Sequence, residues 1–120
     1  MGRFRNAALV AAAALAALVV AVSAFGSSSK TMVTVTAGKP SELKFTLSKT
    51  AAPKGFVSFQ VTNKGKLEHD FKIAGKTSAK LKPGKSTTLT VNVAKPGKYA
   101  FMCTVKGHAA GGMKGTFTVK

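Results

Sequence analysis

Beyond residue 30 the apolar residues recur at every second position, in short runs closed by Gly, Pro, Lys and Ser. Leu43-Phe45-Leu47, Val57-Phe59-Val61 and Leu89-Val91-Val93 each alternate with Lys, Thr, Ser, Gln or Asn. Side chains on a strand point to opposite faces in turn, so each run makes one core face and one wet face. Turn signals separate the runs at Gly38-Lys39-Pro40, Pro53-Lys54-Gly55, Asn63-Lys64-Gly65, Pro83-Gly84 and Pro96-Gly97. The spacing predicts an all-β Greek-key sandwich of about seven or eight strands over residues 31–120, with no helical period and no internal repeat.

The first 24 residues read differently. Arg3 and Arg5 form a basic start, Ala7 to Val22 is an apolar stretch of 16 residues, and Val22-Ser23-Ala24 is a small-residue site suited to cleavage before Phe25. The stretch is shorter than the roughly 20 residues that comfortably span a bilayer, which favours a cleaved export signal over an uncleaved membrane anchor. No Cys lies near the cleavage point to carry a lipid. The expected location is therefore extracytoplasmic or periplasmic, membrane-associated if the segment is retained. Residues 25–30, FGSSSK, form a short tether.

Removing 24 residues from the 120 leaves 96, enough for one domain. A domain of that size buries only roughly 60 to 65% of its unfolded surface, so a bound metal would add materially to its stability. One cysteine excludes an internal disulfide. In an oxidising compartment a lone thiol is best explained by engagement with a metal.

The net charge is +16, and the part beyond the signal carries 17 Lys against Glu42, Glu68 and Asp70, with no Arg. Arg is the preferred group for bidentate phosphate and base-edge recognition, and no basic stripe is interleaved with aromatics, so nucleic acid is a poor partner. The lysines are scattered at turns and strand ends. They suit a solvated surface, steering toward an acidic redox partner, or contact with an anionic membrane surface.

The only cysteine and the only two histidines fall into one pattern. Cys103, His108 and Met113 stand in CTVKGHAAGGM, with His69 upstream in LEHDF. Thiolate and thioether are soft ligands that hold Cu(I), imidazole suits Cu(II), and a Cys with two His and a weak axial Met is the arrangement of a copper electron-transfer site. Strand parity places His69 with Leu67, Phe71 and Ile73, and Cys103 with Tyr99 and Phe101, so both ligands start from the inward side. The spacing C-x4-H-x4-M puts the other two ligands on the loop before a last strand at about Gly115 to Val119. Gly107, Gly111 and Gly112 permit its tight path. Met32 and Met102 keep ordinary structural readings, the first at a strand start and the second with the opposite parity from Cys103.

Taken singly, each ligand has an ordinary explanation: a small buried thiol, a rim histidine, a methionine covering the core. Together they do not. A Cys-His hydrolase is disfavoured because so small a sandwich offers no obvious substrate cleft and three acids leave little to orient a base. A copper carrier or storage protein, a tetrahedral zinc site and a metal-free adhesive sandwich are the remaining alternatives.

The chain resembles the cupredoxins, the small blue copper proteins, through His69, Cys103, His108 and Met113 and through PGKYAFMCTVKGHAAGGMKGTFTV as a strand-loop-strand unit. Its loop spacing is most like the rusticyanin and auracyanin branch. The resemblance implies one type 1 copper, no enzymatic activity, and one-electron transfer between redox proteins such as a c-type cytochrome or a copper oxidase or reductase, by a monomer. It also implies that His108 lies at the surface as the electron exit; the residues around it offer Ala109 and Ala110 as a small apolar contact, with Lys106 and Lys114 flanking it and expected to orient an acidic partner. Two departures stand out. Lys106 replaces a Pro common before the Gly-His pair, and Asp70 replaces the usual Asn or Ser after the first histidine. An acid at Asp70 could brace Thr104, stabilise oxidised copper and lower the potential.

Overall fold

In the computed structural model residues 30–120 are described; the signal segment expected over 1–24 and all but the last residue of the tether lie outside them. Nine strands are present among the described residues: β1 (Thr31–Ala37), β2 (Phe45–Leu47), β3 (Ala51–Ala52), β4 (Gly55–Asn63), β5 (Lys72–Ile73), β6 (Lys76–Thr77), β7 (Ser86–Val93), β8 (Gly97–Met102) and β9 (Lys114–Val119). This exceeds the seven or eight expected, because β3, β5 and β6 are two-residue pieces too short to leave a period in the sequence. The β5–β6 turn is closed by Ala74 and Gly75, both at positive φ (50° and 78°), the signature of a two-residue hairpin loop.

The strands form two mixed sheets, ordered β2-β1-β4-β7 and β3-β9-β8-β5-β6. In the first, β1 runs parallel to β4 with Val33 opposite Phe59 and Val35 opposite Val61, while β4 and β7 are antiparallel. In the second, β8 and β9 are antiparallel, with Tyr99 opposite Phe117 and Phe101 opposite Gly115. Gly115 is small for a reason: a Cβ there would stand 2.5 Å from the ring of Phe101.

The alternation in the sequence becomes the sandwich core. Val33, Val35, Val57, Phe59, Val61, Val91 and Val93 from one sheet meet Ala52, Ile73, Phe101, Phe117 and Val119 from the other, all buried. Phe59 packs on Phe71 and Phe117 at ring-centre distances of 5.1 and 5.3 Å, and Phe45 stands edge-on to Phe71 at 5.4 Å. Such pairs add about 0.5–1.5 kcal/mol each beyond the area they bury. Phe45 also packs against a second, smaller cluster of Ala37, Cys103 and Met113 at one end of the sandwich. The main core therefore forms the floor of that end.

Parity holds on β8, where Phe101 and Cys103 are buried and Met102 is exposed, but it fails around His69. Leu67 is exposed while His69 and its neighbour Asp70 are both fully buried. The segment between β4 and β5 is not a strand: His69 makes only an isolated bridge to Leu81, through the backbone bonds His69 N–H to Leu81 O (3.1 Å) and Leu81 N–H to His69 O (2.8 Å). Freed from the pleat, the chain turns two consecutive side chains inward.

Candidate metal centre

The loop 103–113 is closed at its base and tied across its middle. Cys103 N–H donates to Met113 O at 3.1 Å, extending the β8–β9 ladder by one rung. The carbonyl of His108 accepts from Met113 N–H (3.0 Å) and Gly111 N–H (3.1 Å), and His108 N–H donates to Val105 O (2.9 Å). Gly107 and Gly112 sit at φ of 84° and 112°, the region glycine enters without strain. Gly111 is required by space instead, since a Cβ would lie 2.6 Å from Leu43 Cδ1. β9 starts at Lys114 rather than Gly115, so it takes over directly from Met113.

This loop brings His108 back over Cys103, and His69 meets both from the opposite segment. Cys103 Sγ lies 3.5 Å from His108 Nδ1 and 4.0 Å from His69 Nδ1, and the two Nδ1 atoms are 3.2 Å apart. The centre of a triangle with these sides is about 2 Å from each corner, close to the length of a metal–nitrogen bond and a little under that of a metal–thiolate bond. Among the described residues these three form the group of His, Cys, Asp and Glu able to hold a metal ion. Met113 is fully buried and packs with Cys103 and Ala37. His69 and Cys103 are buried, and His108 is half-buried.

The neighbours of the triangle suit a cation. Burial pushes the Cys103 thiol up from its ordinary range, so it is held as thiolate only by a positive partner such as a metal. Burial, and after it the neighbouring His69, holds His108 below the usual imidazole range, which keeps it neutral and able to coordinate. Asp70 N–H points at Cys103 Sγ from 3.5 Å, a weak donor to the sulfur. The donor set is one thiolate, two imidazoles and a nearby thioether; His69, Cys103, His108 and Met113 would hold a copper ion, whose soft Cu(I) state suits the sulfurs and whose Cu(II) state suits the imidazoles.

Asp70 is fully buried and spends its carboxylate on the residue after the cysteine. Thr104 N–H donates to Oδ1 at 2.6 Å and the Thr104 hydroxyl donates to Oδ2. Lys80 Nζ stands 3.6 Å from Oδ2, largely in solvent. The brace expected between Asp70 and Thr104 is thus in place.

Glu42 was not singled out in the sequence. It lies between β1 and β2, and its Oε2 is 2.6 Å from His69 Nε2. A carboxylate can only accept, so Nε2 donates, which leaves Nδ1 as the nitrogen that faces Cys103 and His108 and is placed to meet a metal. The backbone N–H groups of Lys66 and Leu67, with His69, hold the Glu42 carboxyl down at about 2, Lys66 contributing most. No local signal marks Glu42. It is 27 residues from His69, and only the fold joins them.

A family model for the cupredoxin-like domain matches residues 8–119. The chain belongs to the cupredoxin family. This cupredoxin is 45% identical over 42 residues to Auracyanin-B of Chloroflexus aurantiacus, a stretch covering 35% of this chain and 18% of that protein's length. Its fold is similar to the solved structure of auracyanin B, with a TM-score of 0.68 at 23% identity over 78% of this chain and 91% of the other. Rusticyanin from Thiobacillus ferrooxidans follows at a TM-score of 0.67 and 24% identity, over 78% and 79% of the two chains. Auracyanin A, described as a "blue" copper protein, superposes with a TM-score of 0.63 at 18% identity over 77% of this cupredoxin and all of that chain. One type 1 copper fits the cupredoxin site formed by His69, Cys103, His108 and Met113.

Proposed function

We propose that this cupredoxin is an exported one-electron carrier that shuttles between redox proteins outside the cytoplasmic membrane. The observation that carries the reading is the donor triangle, pre-assembled at 3.2 to 4.0 Å, with two corners walled by the sandwich and the third, His108, half-buried at its rim. Copper, when bound, supplies a Cu(I)/Cu(II) couple whose two states accept the same donor set.

The residues of the chain supply the rest. His69 and Cys103 are fixed by the core and by Asp70, so the donors need little reorganisation when an electron arrives or leaves. His108 is flanked by Gly107, Ala109, Ala110, Gly111 and Gly112, which let a partner's cofactor approach. Lys106 and Lys114 are exposed on either side and orient an acidic partner such as a c-type cytochrome or a copper oxidase or reductase. A small apolar contact of this kind suits brief encounters. The sixteen-residue apolar stretch with its basic start supports export.

The test is direct. The copper-loaded domain should show an intense visible thiolate band, bleached by ascorbate and restored by oxidant, and should exchange electrons with an acidic c-type cytochrome faster than it exchanges metal with a chelator. Rapid metal exchange with slow electron exchange would favour a copper carrier instead.

A further inference from the structure

Two of the three acidic residues in the chain lie at the metal site, and they serve different ligands. Asp70 braces the loop through Thr104, whereas Glu42 touches a ligand ring itself. The Glu42 carboxylate is saturated before any metal arrives: Oε1 accepts Lys66 N–H at 2.8 Å, and Oε2 accepts Lys66 N–H at 3.0 Å, Leu67 N–H at 3.0 Å and His69 Nε2 at 2.6 Å.

The pocket that receives this carboxylate is built around two glycines and a buried asparagine. Gly65 has ordinary backbone angles, yet a Cβ there would collide with Glu42 Oε2 and stand 3.0 Å from both Glu42 Cδ and His69 Nε2. Gly38 faces Gly65 so closely that a Cβ on Gly38 would come within 2.6 Å of its backbone. Asn63, fully buried, holds the segment in shape: Nδ2 donates to Leu67 O and Leu81 O at 2.8 Å each, and Oδ1 accepts Gly65 N–H at 2.8 Å. Asn63 thus shapes the loop that presents two backbone donors to Glu42, and Glu42 in turn fixes His69.

We propose that Glu42 is a positioning residue for the metal centre, holding His69 with Nδ1 turned to the donor triangle and making that nitrogen a stronger donor to Cu(II) than to Cu(I). A carboxylate on the far side of a ligating imidazole locks ring orientation and raises ligand basicity. The extra negative charge favours the higher oxidation state. The proposal rests on copper being held by His69, and not on the protein's partners.

The test compares the full copper-binding domain with Glu42→Gln and Gly65→Ala. Glu42→Gln keeps the shape and an acceptor but removes the charge; Gly65→Ala keeps the charge but pushes the carboxylate off Nε2. Chelator competition should give a Cu(II) affinity lower by about 10- to 100-fold in each variant. Cu(I) affinity should fall by less, so the reduction potential rises, by about 59 mV for each tenfold difference between the two losses. In the double variant the losses should be less than additive, because both act through one contact. Equal losses for Cu(II) and Cu(I), leaving the potential where it was, would reduce Glu42 to a structural brace and overturn the proposal. So would unchanged Cu(II) affinity in Glu42→Gln with the apo domain still folded. Slow transfer to a cytochrome with these affinity shifts intact would count against the electron-carrier reading alone.

Discussion

Asp70 and Thr104 join the two halves of the metal site: the carboxylate next to the first histidine takes both the backbone N–H and the hydroxyl of the residue next to the cysteine. The pair sits 34 positions apart in the chain and couples the segment before β5 to the end of β8. Asp70→Ala should leave the two half-buried donors of Thr104 without their partner, at up to about 1–3 kcal/mol each, and chemical denaturation of the apo domain measures that loss. Asp70→Asn should cost less stability and raise the reduction potential, since a buried negative charge near the thiolate favours Cu(II). An unchanged potential would show that the charge of Asp70 is silent.

Copper should stabilise the fold strongly, because the donors are gathered only in the folded chain. At free Cu(II) one hundred times its dissociation constant the gain is about 2.7 kcal/mol, and calorimetry should show the melting temperature of a domain this size rising by about 10–20 °C. Stripping the metal with a chelator should reverse the gain. Cys103→Ser should abolish the visible band and most of this shift while leaving the apo protein folded.

Two residues on from His69, Phe71 is fully buried and packed on Phe45, Phe59 and Phe101 at 5.4, 5.1 and 5.4 Å between ring centres. Phe71→Ala should cost about 3–5 kcal/mol in equilibrium unfolding. The same change should broaden the electron paramagnetic spectrum of the copper-loaded protein, since it loosens the floor two residues from a ligand. Phe56→Ala, at a half-exposed position on β4, should change neither by a comparable amount.

Lys106 and Lys114 flank His108 in solvent. Replacing both by Glu should slow electron transfer to an acidic cytochrome and flatten its dependence on salt. For the parent protein the rate should fall as ionic strength rises, because the screening length shrinks from about 10 Å at 0.1 M to about 3 Å at 1 M. A parent rate indifferent to salt in stopped-flow measurements would contradict steering by these lysines.

Much of the architecture was legible in the chain. Alternation in Val57-Phe59-Val61 and Val91-Val93 marks the inward faces of β4 and β7, since the strand period is fixed by backbone stereochemistry and survives in any context. The grouping of Cys103, His108 and Met113 was legible too, because all three ride on one loop and their spacing sets how far apart they can lie. Three things were not. The two-residue strands β3, β5 and β6 are too short to carry a period. The segment Leu67 to Phe71 reads as a strand but is held by a single bridge to Leu81, which lets His69 and Asp70 both turn inward. Glu42 and Gly65 look like an ordinary surface acid and a turn glycine.

The sequence by itself determined the β class and the list of candidate donor residues, because local periodicity and loop spacing are properties of adjacent residues. The tertiary structure decided which nitrogen of His69 faces the metal site. That depends on Glu42 reaching Nε2 across 27 residues, in a gap opened by two glycines and shaped by buried Asn63. Such a contact leaves no trace in either local pattern, since it exists only where the end of β1 and the end of β4 are packed side by side.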